Sequence, residues 1–482
     1  MRDFRSILHI LGILLCIEAG AMLLPMTVDL YFENYDWEQF FYSSLFTFII
    51  GIILFISFRR EKVKLGIRQA FVLTISSWLI ISLFGAIPFI YSSSSLSYTD
   101  AIFESVSGIT TTGATAISNL EILTEGILIW RSLLQWFGGI GIIVLAMAIL
   151  PTLQIGGMQL LHMEHDDPYE KTIPKVNRFV LELFLLYIFL TFLCVALYFF
   201  NGMTFFDSII HAMTTISTGG FSNYNNSFGY FNSYQIEIVC IIFMIIGSLP
   251  FVLYLQFLHS QKRNFLKDDQ VKLFFIIIII IIILTTLWIN NTKSIDLISS
   301  FRMSIFNVTS ILTGTGYSTS NFSNWGSFGL VIMMTIMFIG GCAGSTTGGI
   351  KIFRLLILFR GAITQIKKLT NPHAVLMMRF NGKTVNENTY NSVMGFFFMY
   401  IILFIVSAVS LSFFNLDFIS AFSAAASAIS NVGPGLGESI GPSSNYFYLD
   451  DPAKWILSIT MIVGRLEIFT VLVLLSMNFW KN

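Results

Sequence analysis

The chain has 482 residues, of which 55% are hydrophobic and only 11% are charged, and its formal net charge is zero. Because a soluble protein carries roughly 25% charged residues, this composition excludes a water-soluble globular protein and predicts an all-α polytopic membrane protein. The zero net charge also gives no overall field that would attract nucleic acid.

Ten stretches of the sequence are apolar and long enough to cross a bilayer, which takes about 20 residues per helix. The first follows Arg2 and Arg5 and lacks a small-residue cleavage pattern, so it is predicted to be retained rather than removed as a signal peptide. In chain order the predicted spans are residues 7–28, 40–58, 70–91, 126–150, 179–200, 236–258, 271–289, 328–359, 392–414 and 455–479.

Four further apolar stretches are too short to span, and each ends in a cluster of Ser, Thr, Asn and Gly. They are residues 100–109, 205–216, 295–312 and 416–429. Irregular backbone at membrane depth is tolerated only where it lines water or is buried in protein. Four re-entrant segments of this kind predict a shared aqueous path.

The loops after the second, fourth, sixth and eighth spans are rich in Lys and Arg, whereas most of the alternate loops are acidic. By the positive-inside rule the basic loops are cytoplasmic. All four short segments are therefore predicted to enter the membrane from outside, where the acidic face concentrates cations.

After the second span, the order long, short, long occurs four times. One glycine anchors the end of each short segment: Gly113, Gly220, Gly316 and Gly433. An aspartate also lies near the start of each short segment, and we call these four the lead-in aspartates. Asp100 and Asp207 each lie 13 residues before the anchor glycine, whereas Asp296 and Asp417 lie 20 and 16 residues before it. The predicted organisation is a two-helix extension (1–65) followed by four repeats around a pseudo-fourfold pore: 66–177, 178–268, 269–385 and 386–482.

A potassium filter replaces the hydration shell of the ion with rings of backbone carbonyl oxygens. Aiming successive carbonyls at one axis needs backbone angles that a β-carbon obstructs, which favours glycine. A single loop of this composition is more often an ordinary turn. Four such loops at equivalent positions of four repeats, all on one side of the membrane, favour a pore over ordinary turns.

The four segments resemble the filters of the Trk/Ktr/HKT superfamily, and the chain as a whole resembles the TrkH family, with two helices before the repeats. The most specific stretches are residues 340–351, GGCAGSTTGGIK, and 431–437, NVGPGLG. The resemblance implies potassium uptake across the bacterial cytoplasmic (inner) membrane. It also implies a homodimer and a cytoplasmic TrkA-type regulatory subunit that binds NAD or ATP.

The resemblance also implies the ligands of the potassium ion, which are backbone carbonyls. They are those of Thr111, Thr112, Gly113, Thr218, Gly219, Gly220, Gly314, Thr315, Gly316, Asn431, Val432 and Gly433. In the second segment, Gly219 and Gly220 could exchange roles; Gly220 is preferred because each anchor is then followed by Ala, Phe, Tyr or Pro. In plant relatives a serine at the first anchor accompanies sodium conduction, so Gly113 favours potassium.

The eighth span contains five glycines within residues 340–349, and each costs a helix about 1 kcal/mol relative to alanine. This stretch is predicted to unwind inside the membrane, although close helix packing is an alternative. By resemblance it is an intramembrane gate formed by Gly340, Gly341, Gly344, Ser345, Thr346, Thr347, Gly348 and Gly349. Lys351 and Arg354 follow, either as anchors of this loop or as markers of the inner interface.

Arg465 lies inside the last span, where an arginine costs about 2.5 kcal/mol or more and is a functional candidate. Two readings stay open: an interhelical ion pair with Glu104, or, by resemblance, an electrostatic barrier beneath the filter. Glu467 is an unlikely partner because residues two apart do not share a helix face. Arg131 and Glu182 lie near span ends, where snorkelling suffices.

A cytoplasmic loop carries His162, His165, Asp166 and Asp167, which are predicted to form a solvated surface rather than a metal site. Two other classes of function remain as alternatives. One is an alternating-access secondary transporter coupled to protons or sodium, since such proteins use broken helices. The other is a membrane enzyme, which is disfavoured because the sequence has no nucleophile–base spacing, metal pair or phosphate loop.

Overall fold

Helices provide nearly all the regular structure of the computed structural model, which describes residues 4–59, 66–145, 176–258, 267–374 and 376–481. In a bilayer every backbone N–H and C=O must bond within the protein, and a helix does this locally. The predicted helical membrane protein is therefore the observed class of fold.

Two helices precede the repeats, α1 (Arg5–Tyr31) and α2 (Trp37–Ser57). Repeat 1 consists of α3 (Ile67–Gly85), its short continuation α4 (Ile87–Tyr91), α5 (Tyr98–Ile109) and α6 (Glu125–Val144). Repeat 2 consists of α7 (Val176–Phe200), α8 (Phe205–Ile216), α9 (Tyr234–Ser248) and α10 (Phe251–Leu258).

Repeat 3 consists of α11 (Asp269–Lys293), α12 (Leu297–Leu312), α13 (Gly326–Met337) and α14 (Ile352–Thr370). Repeat 4 consists of α15 (Glu387–Ser412), α16 (Phe418–Ser430), α17 (Asp451–Arg465), α18 (Ile468–Leu475) and α19 (Met477–Lys481). A two-stranded hairpin, β1 (Arg379–Phe380) and β2 (Lys383–Thr384), follows α14 at the end of repeat 3, around an Asn-Gly turn.

Seven helices in the described ranges are long and apolar enough to cross a membrane, and two sharply bent pairs raise this number to nine. The bent pairs correct the sequence analysis, which treated residues 236–258 and 455–479 as continuous helices. The axes of α9 and α10 differ by 91°, with the bend near Pro250. The axes of α17 and α18 differ by 108°, with the bend near Glu467.

The two bends have different causes. Proline lacks an N–H and pushes the residue before it into an extended conformation, and Leu249 is extended with ψ 158°. Glu467 instead adopts a positive φ of 63°, which a helix does not allow. The sequence contains a signal for the first bend, Pro250, but only Gly464 hints at the second.

The eighth predicted span is broken, as expected from its glycines. Helix α13 ends at Met337 and α14 begins at Ile352. We call the non-helical segment between them, residues 338–351, the break loop. An isolated parallel bridge between Ile339 and Ile350 brings its two ends together.

The four short segments are all helices, and their first turns explain the irregular spacing of the lead-in aspartates. Ser97 and Thr204 cap α5 and α8 by accepting the N–H of Asp100 and Asp207, respectively. In α12 and α16 the aspartate is itself the cap, because Asp296 and Asp417 accept the N–H three residues later. The two pairs of aspartates therefore occupy different positions in the first turn.

The distance from the N-cap residue to the anchor glycine is the same in three repeats. The cap lies 16 residues before the glycine in repeats 1, 2 and 4. In repeat 3 it lies 20 before, because α12 has 16 residues, about one turn more than the others. The N–H of Ser299 bonds the Asp296 carboxylate and holds the pKa of this exposed carboxyl below its ordinary value.

The apolar core consists of three large clusters of buried residues. One lies mainly in repeats 1 and 4, one mainly in repeat 2 and one mainly in repeat 3. Fully buried hydroxyl residues lie at or directly after the ends of the short helices, among them Thr112, Thr215 and Thr315. Buried polar groups need hydrogen-bond partners, so this region is where a polar site is to be sought.

Candidate ion pathway

The four short helices end in the same backbone motif. A residue with positive φ follows each helix, and the next residue donates its N–H to the carbonyl five residues earlier, which is the Schellman motif. The positive-φ residues are Thr111 (52°), Thr218 (51°), Gly314 (70°) and Asn431 (55°). The long bonds are Thr112 to Ser107 (2.9 Å), Gly219 to Thr214 (2.9 Å), Thr315 to Ser310 (2.9 Å) and Val432 to Ser427 (3.0 Å).

Two of these positive-φ residues are threonines, for which the left-handed conformation is rare. Holding a residue in such a conformation costs about 1–3 kcal/mol and persists only where the surroundings impose it. Thr111 and Thr218 are both buried, with exposures of 0% and 1%. Such strain concentrates at functional sites, and here it recurs at equivalent positions of two repeats.

Each anchor glycine follows the Schellman motif by one residue and has a positive φ: 86°, 79°, 82° and 106° in repeats 1 to 4. A β-carbon on any of them would lie closer than 3.0 Å to a carbonyl oxygen of another repeat. Gly113 lies against the carbonyl of Gly219, Gly220 against that of Thr315, Gly316 against that of Val432, and Gly433 against that of Thr112.

These contacts close a ring in the order of repeats 1, 2, 3, 4 and back to 1. In every case the carbonyl belongs to the residue just before the anchor of the next repeat. This pattern makes Gly220, not Gly219, the equivalent of the other three anchors. All twelve residues predicted to line the filter lie in this structure, which we call the ring.

A side chain that the sequence analysis missed holds the second segment of the ring. The Gln135 amide donates from Nε2 to the carbonyl of Gly219 (2.7 Å) and accepts the N–H of Phe221 at Oε1 (3.1 Å). It thus bridges the residues on both sides of Gly220. A polar residue inside an apolar span was the available signal.

Repeat 4 is tied to repeat 1 by side chains as well as by backbone. Asn431 donates from Nδ2 to the hydroxyl of Thr112 (2.9 Å) and to the carbonyl of Met461 (3.0 Å). The Tyr446 hydroxyl donates to the carbonyl of Gly433 (2.9 Å). Two predicted filter carbonyls, those of Gly219 and Gly433, therefore also accept hydrogen bonds from the protein.

Arg131 corrects two expectations. It is 1% exposed, and its Nε lies 2.7 Å from Glu104 Oε1, so it forms a buried ion pair and does not snorkel. Glu104 is accordingly not the partner of Arg465. Arg131 also donates to the carbonyl of Ser222 (3.0 Å) and stacks 4.1 Å from the Phe221 ring, which joins repeats 1 and 2. Glu182 forms a surface pair with Arg178 (3.0 Å), as suits a span end.

Below the ring, the break loop satisfies the backbone groups that the bend in repeat 2 leaves open. Cys342 and Thr346 donate their N–H groups to the carbonyls of Ser248 (3.0 Å) and Gly247 (3.2 Å). In return, the carbonyl of Gly344 accepts the N–H of Phe251 (3.0 Å). The broken ends of a helix need such partners because they have none within the helix.

The break loop also touches the ring. The hydroxyls of Thr218 and Thr346 are 3.1 Å apart. A β-carbon on Gly348 would lie closer than 3.0 Å to the carbonyl of Ser430, directly before the ring segment of repeat 4. The loop therefore lies directly against the ring segments of at least two repeats.

The predicted gate residues are brought together in this layer. Gly340, Gly341, Gly344, Ser345, Thr346, Thr347, Gly348 and Gly349 all belong to the break loop. Lys351 Nζ donates to the carbonyl and hydroxyl of Thr347, and Arg465 Nη2 donates to the carbonyl of Thr346 (2.9 Å). Neither carboxylate weighed as a partner of Arg465 fills that role, since Glu467 pairs with Arg354 (2.6 Å).

No disulfide joins the four cysteines, all of which lie in the described ranges. Within those ranges no cluster of three His, Cys, Asp or Glu side chains is arranged to hold a metal ion. The predicted surface of His162, His165, Asp166 and Asp167 lies outside the described residues.

Comparison with known proteins agrees with this geometry. The model of the TrkH family, described as cation transport proteins, matches residues 37–481. The potassium uptake protein TrkI of Halomonas elongata is 39% identical over 100% of this chain and 98% of its own length. TrkH of Escherichia coli K12 is 37% identical over 99% of this chain and 100% of its own length.

Among solved structures, the crystal structure of the potassium transporter TrkH from Vibrio parahaemolyticus superposes with a TM-score of 0.92. It is 36% identical, and the match covers 100% of both chains. This chain therefore belongs to the TrkH family, whose members are multi-pass membrane transporters of cations and not enzymes.

Proposed function

We propose that this protein carries potassium into the cell through a channel-like pore, with the ring as its selectivity filter. Its relatives with known roles are potassium uptake proteins of the Trk system. The observation that supports the proposal most is the closed ring of four glycines, each against a carbonyl of the next repeat. Four equivalent backbone segments around one axis are what dehydration of a cation by main-chain oxygens requires.

Selection of potassium over sodium follows in this proposal from glycine at all four anchors. A side chain at any of these positions would displace a neighbouring carbonyl, because the available distance is below 3.0 Å. The short helices add to the effect, since their C-terminal ends carry partial negative charge and point toward the ring.

The break loop and Arg465 act in this proposal as the gate. The loop lies directly below the ring, and Arg465 is anchored to it through the carbonyl of Thr346. A buried positive charge next to the pathway opposes the passage of a cation. Movement of the loop would carry Arg465 with it and change this barrier.

A cytoplasmic, TrkA-type nucleotide-binding subunit, acting on a homodimer of this chain in the cytoplasmic membrane, would move the loop. The loop is continuous with α14, which carries Lys367 and Lys368 in its last turn, on the side predicted to be cytoplasmic. A partner docked there has a direct mechanical connection to the gate.

The broken spans favour one alternative, an alternating-access transporter that couples potassium to protons or sodium. Such proteins bind their substrates where helices are interrupted near the middle of the membrane, and three spans in the described ranges are interrupted. In the alternative, however, the repeats are inverted, whereas these four share one orientation.

The test is potassium uptake in a bacterial strain that lacks its own uptake systems but retains the regulatory subunit. We expect the chain to restore growth at low potassium. Purified protein in liposomes distinguishes the mechanisms: a pore carries potassium current in symmetrical pH without sodium, whereas a coupled transporter does not. Failure of both uptake and current would exclude the proposal.

A further inference from the structure

A small cavity with charged residues in its lining lies beneath the ring, between the break loop and the bend of the last span. Its volume is about 20 Å³, against the roughly 10–15 Å³ that one water-sized occupant needs. The break loop contributes much of the wall, with the remainder from α6 and from the residues around the bend. Lys351, Arg465 and Glu467 are the charged residues in its lining.

The charges around this cavity do not balance. Arg354, Lys351 and Arg465 bring three positive charges to this layer, and all three are at most 7% exposed. Of the described residues, Glu467 is the carboxylate that lines the cavity, and it is engaged by Arg354 at 2.6 Å. The remaining two cations have no carboxylate partner in the cavity.

The hydrogen-bond donors of these two cations are also in excess. In the described structure, Arg465 uses Nη2 to bond the carbonyl of Thr346, while its Nε and Nη1 have no hydrogen-bond partner. Lys351 bonds Thr347 through two contacts, although an ammonium group has three donors. Unsatisfied donors on a buried charge are costly, by several kcal/mol for an ion left unpaired.

We propose that this cavity binds a monovalent halide, chloride in the cell, between the Arg465 guanidinium and the Lys351 ammonium. The two guanidinium nitrogens without a partner supply hydrogen-bond donors on a residue that lines the cavity, and the two positive charges attract an anion. A halide is larger than water, but it is a single atom and the smallest common class of anion, whereas sulfate and phosphate are too large for a cavity of this size. The positive charges of the lining disfavour a cation as the resident ion of the cavity.

The consequence for transport rests on the proposed function. A halide at this position neutralises one of the charges that oppose a cation leaving the ring. Occupancy of the cavity therefore sets how strongly the gate layer resists potassium. Binding itself requires no transport, and the two are tested separately.

The test uses the purified full chain in detergent at constant potassium, with chloride exchanged for gluconate at equal ionic strength. We expect chloride to raise Tm saturably, by about 2 °C, because it binds the folded state alone. Arg465→Gln is expected to abolish this rise. Arg178→Gln is the matched control, because its side chain is 75% exposed and does not line the cavity, and it should retain the rise.

A second measurement keeps the proposal falsifiable if Arg465→Gln does not fold. Crystals of the wild-type protein in potassium bromide should show an anomalous scattering peak between Arg465 and Lys351. Equal Tm values in chloride and gluconate, or a cavity that contains only water in bromide, would overturn the proposal. Neither readout involves potassium movement, so loss of the proposed function would leave them unchanged.

Discussion

The ring and the layer directly beneath it differ in symmetry: the repeats are alike in the ring and unlike in the layer beneath. In the ring, four segments with little identity in sequence adopt one backbone course, with positive φ at the same two positions of each repeat. In the layer beneath, the second half of each described repeat differs: a proline bend in repeat 2, a fourteen-residue break loop in repeat 3, and a bend at Glu467 in repeat 4.

This difference shows where the fourfold pattern is needed. A shell of carbonyl oxygens around one ion must be nearly symmetric, because each oxygen replaces a water molecule of the same ion. The layer beneath, which acts as a gate in the proposed function, has no such requirement. Its charged residues, including Arg465, come from single repeats.

The strongest way to break the ring is to add one methyl group. Gly220→Ala places a β-carbon against the carbonyl of Thr315 at a positive φ of 79°, so we expect loss of potassium uptake. Overpacking of this kind also costs about 1–3 kcal/mol of stability. Uptake in the deficient strain and Tm measure the two effects.

The matched control for this change is Gly20→Ala, which meets nothing within 4 Å on α1. It should leave uptake intact and shift stability by no more than about 0.5 kcal/mol. Normal potassium uptake by the Gly220→Ala variant would show that the ring does not form part of the potassium pathway.

In contrast to a substitution in the ring, a deletion in the break loop is expected to increase potassium flux. Deletion of residues 341–348 removes most of the break loop and the Thr346 carbonyl that anchors Arg465. We expect higher basal potassium flux in liposomes without any regulatory subunit. A deleted protein whose flux is still low and still needs the subunit would show that the gate lies elsewhere.

A substitution at the anchor of repeat 1 tests the role of the ring in selection. Gly113→Ser adds a side chain against the carbonyl of Gly219 and should relax selection of potassium over sodium. We expect the permeability ratio to fall about tenfold, which corresponds to 1.4 kcal/mol. Reversal potentials in mixed potassium and sodium measure it, and an unchanged ratio would contradict the place of Gly113 in the filter.

The smallest expected effect concerns the support of the ring. Gln135→Leu removes the donor to the Gly219 carbonyl and leaves the Phe221 N–H without its acceptor, which costs about 1–3 kcal/mol. Gln235→Leu, at an exposed position, should change stability by less than about 0.5 kcal/mol. Equal Tm values for the two variants would argue that Gln135 does not brace the ring.

Local features of the sequence predicted the ring positions. Each anchor glycine is required by its own backbone angle and follows a short apolar helix, so it is visible from a few neighbouring residues. The break loop was predictable for the same reason, because five glycines lie within ten residues of the chain. Helix caps and Pro250 are local signals too, although the bend at Pro250 was not foreseen.

The partners in the buried ion pairs could not be predicted from neighbouring residues in the sequence. The partner of Arg131 is Glu104, 27 residues away on another helix, and the partner of Arg354 is Glu467, 113 residues away. Each pairing depends on how whole repeats pack, which spacing along one helix does not reveal. The same holds for Gln135, whose two partners lie in the following repeat.

The contact that closes the ring has a consequence for biosynthesis. Asn431 and Thr112 are separated by 319 residues, so this contact can form only after repeat 4 has been synthesised. A nascent protein with three repeats lacks the ring segment of the fourth. If the ring is the ion pathway, as proposed, the pathway is incomplete while the protein is still being made.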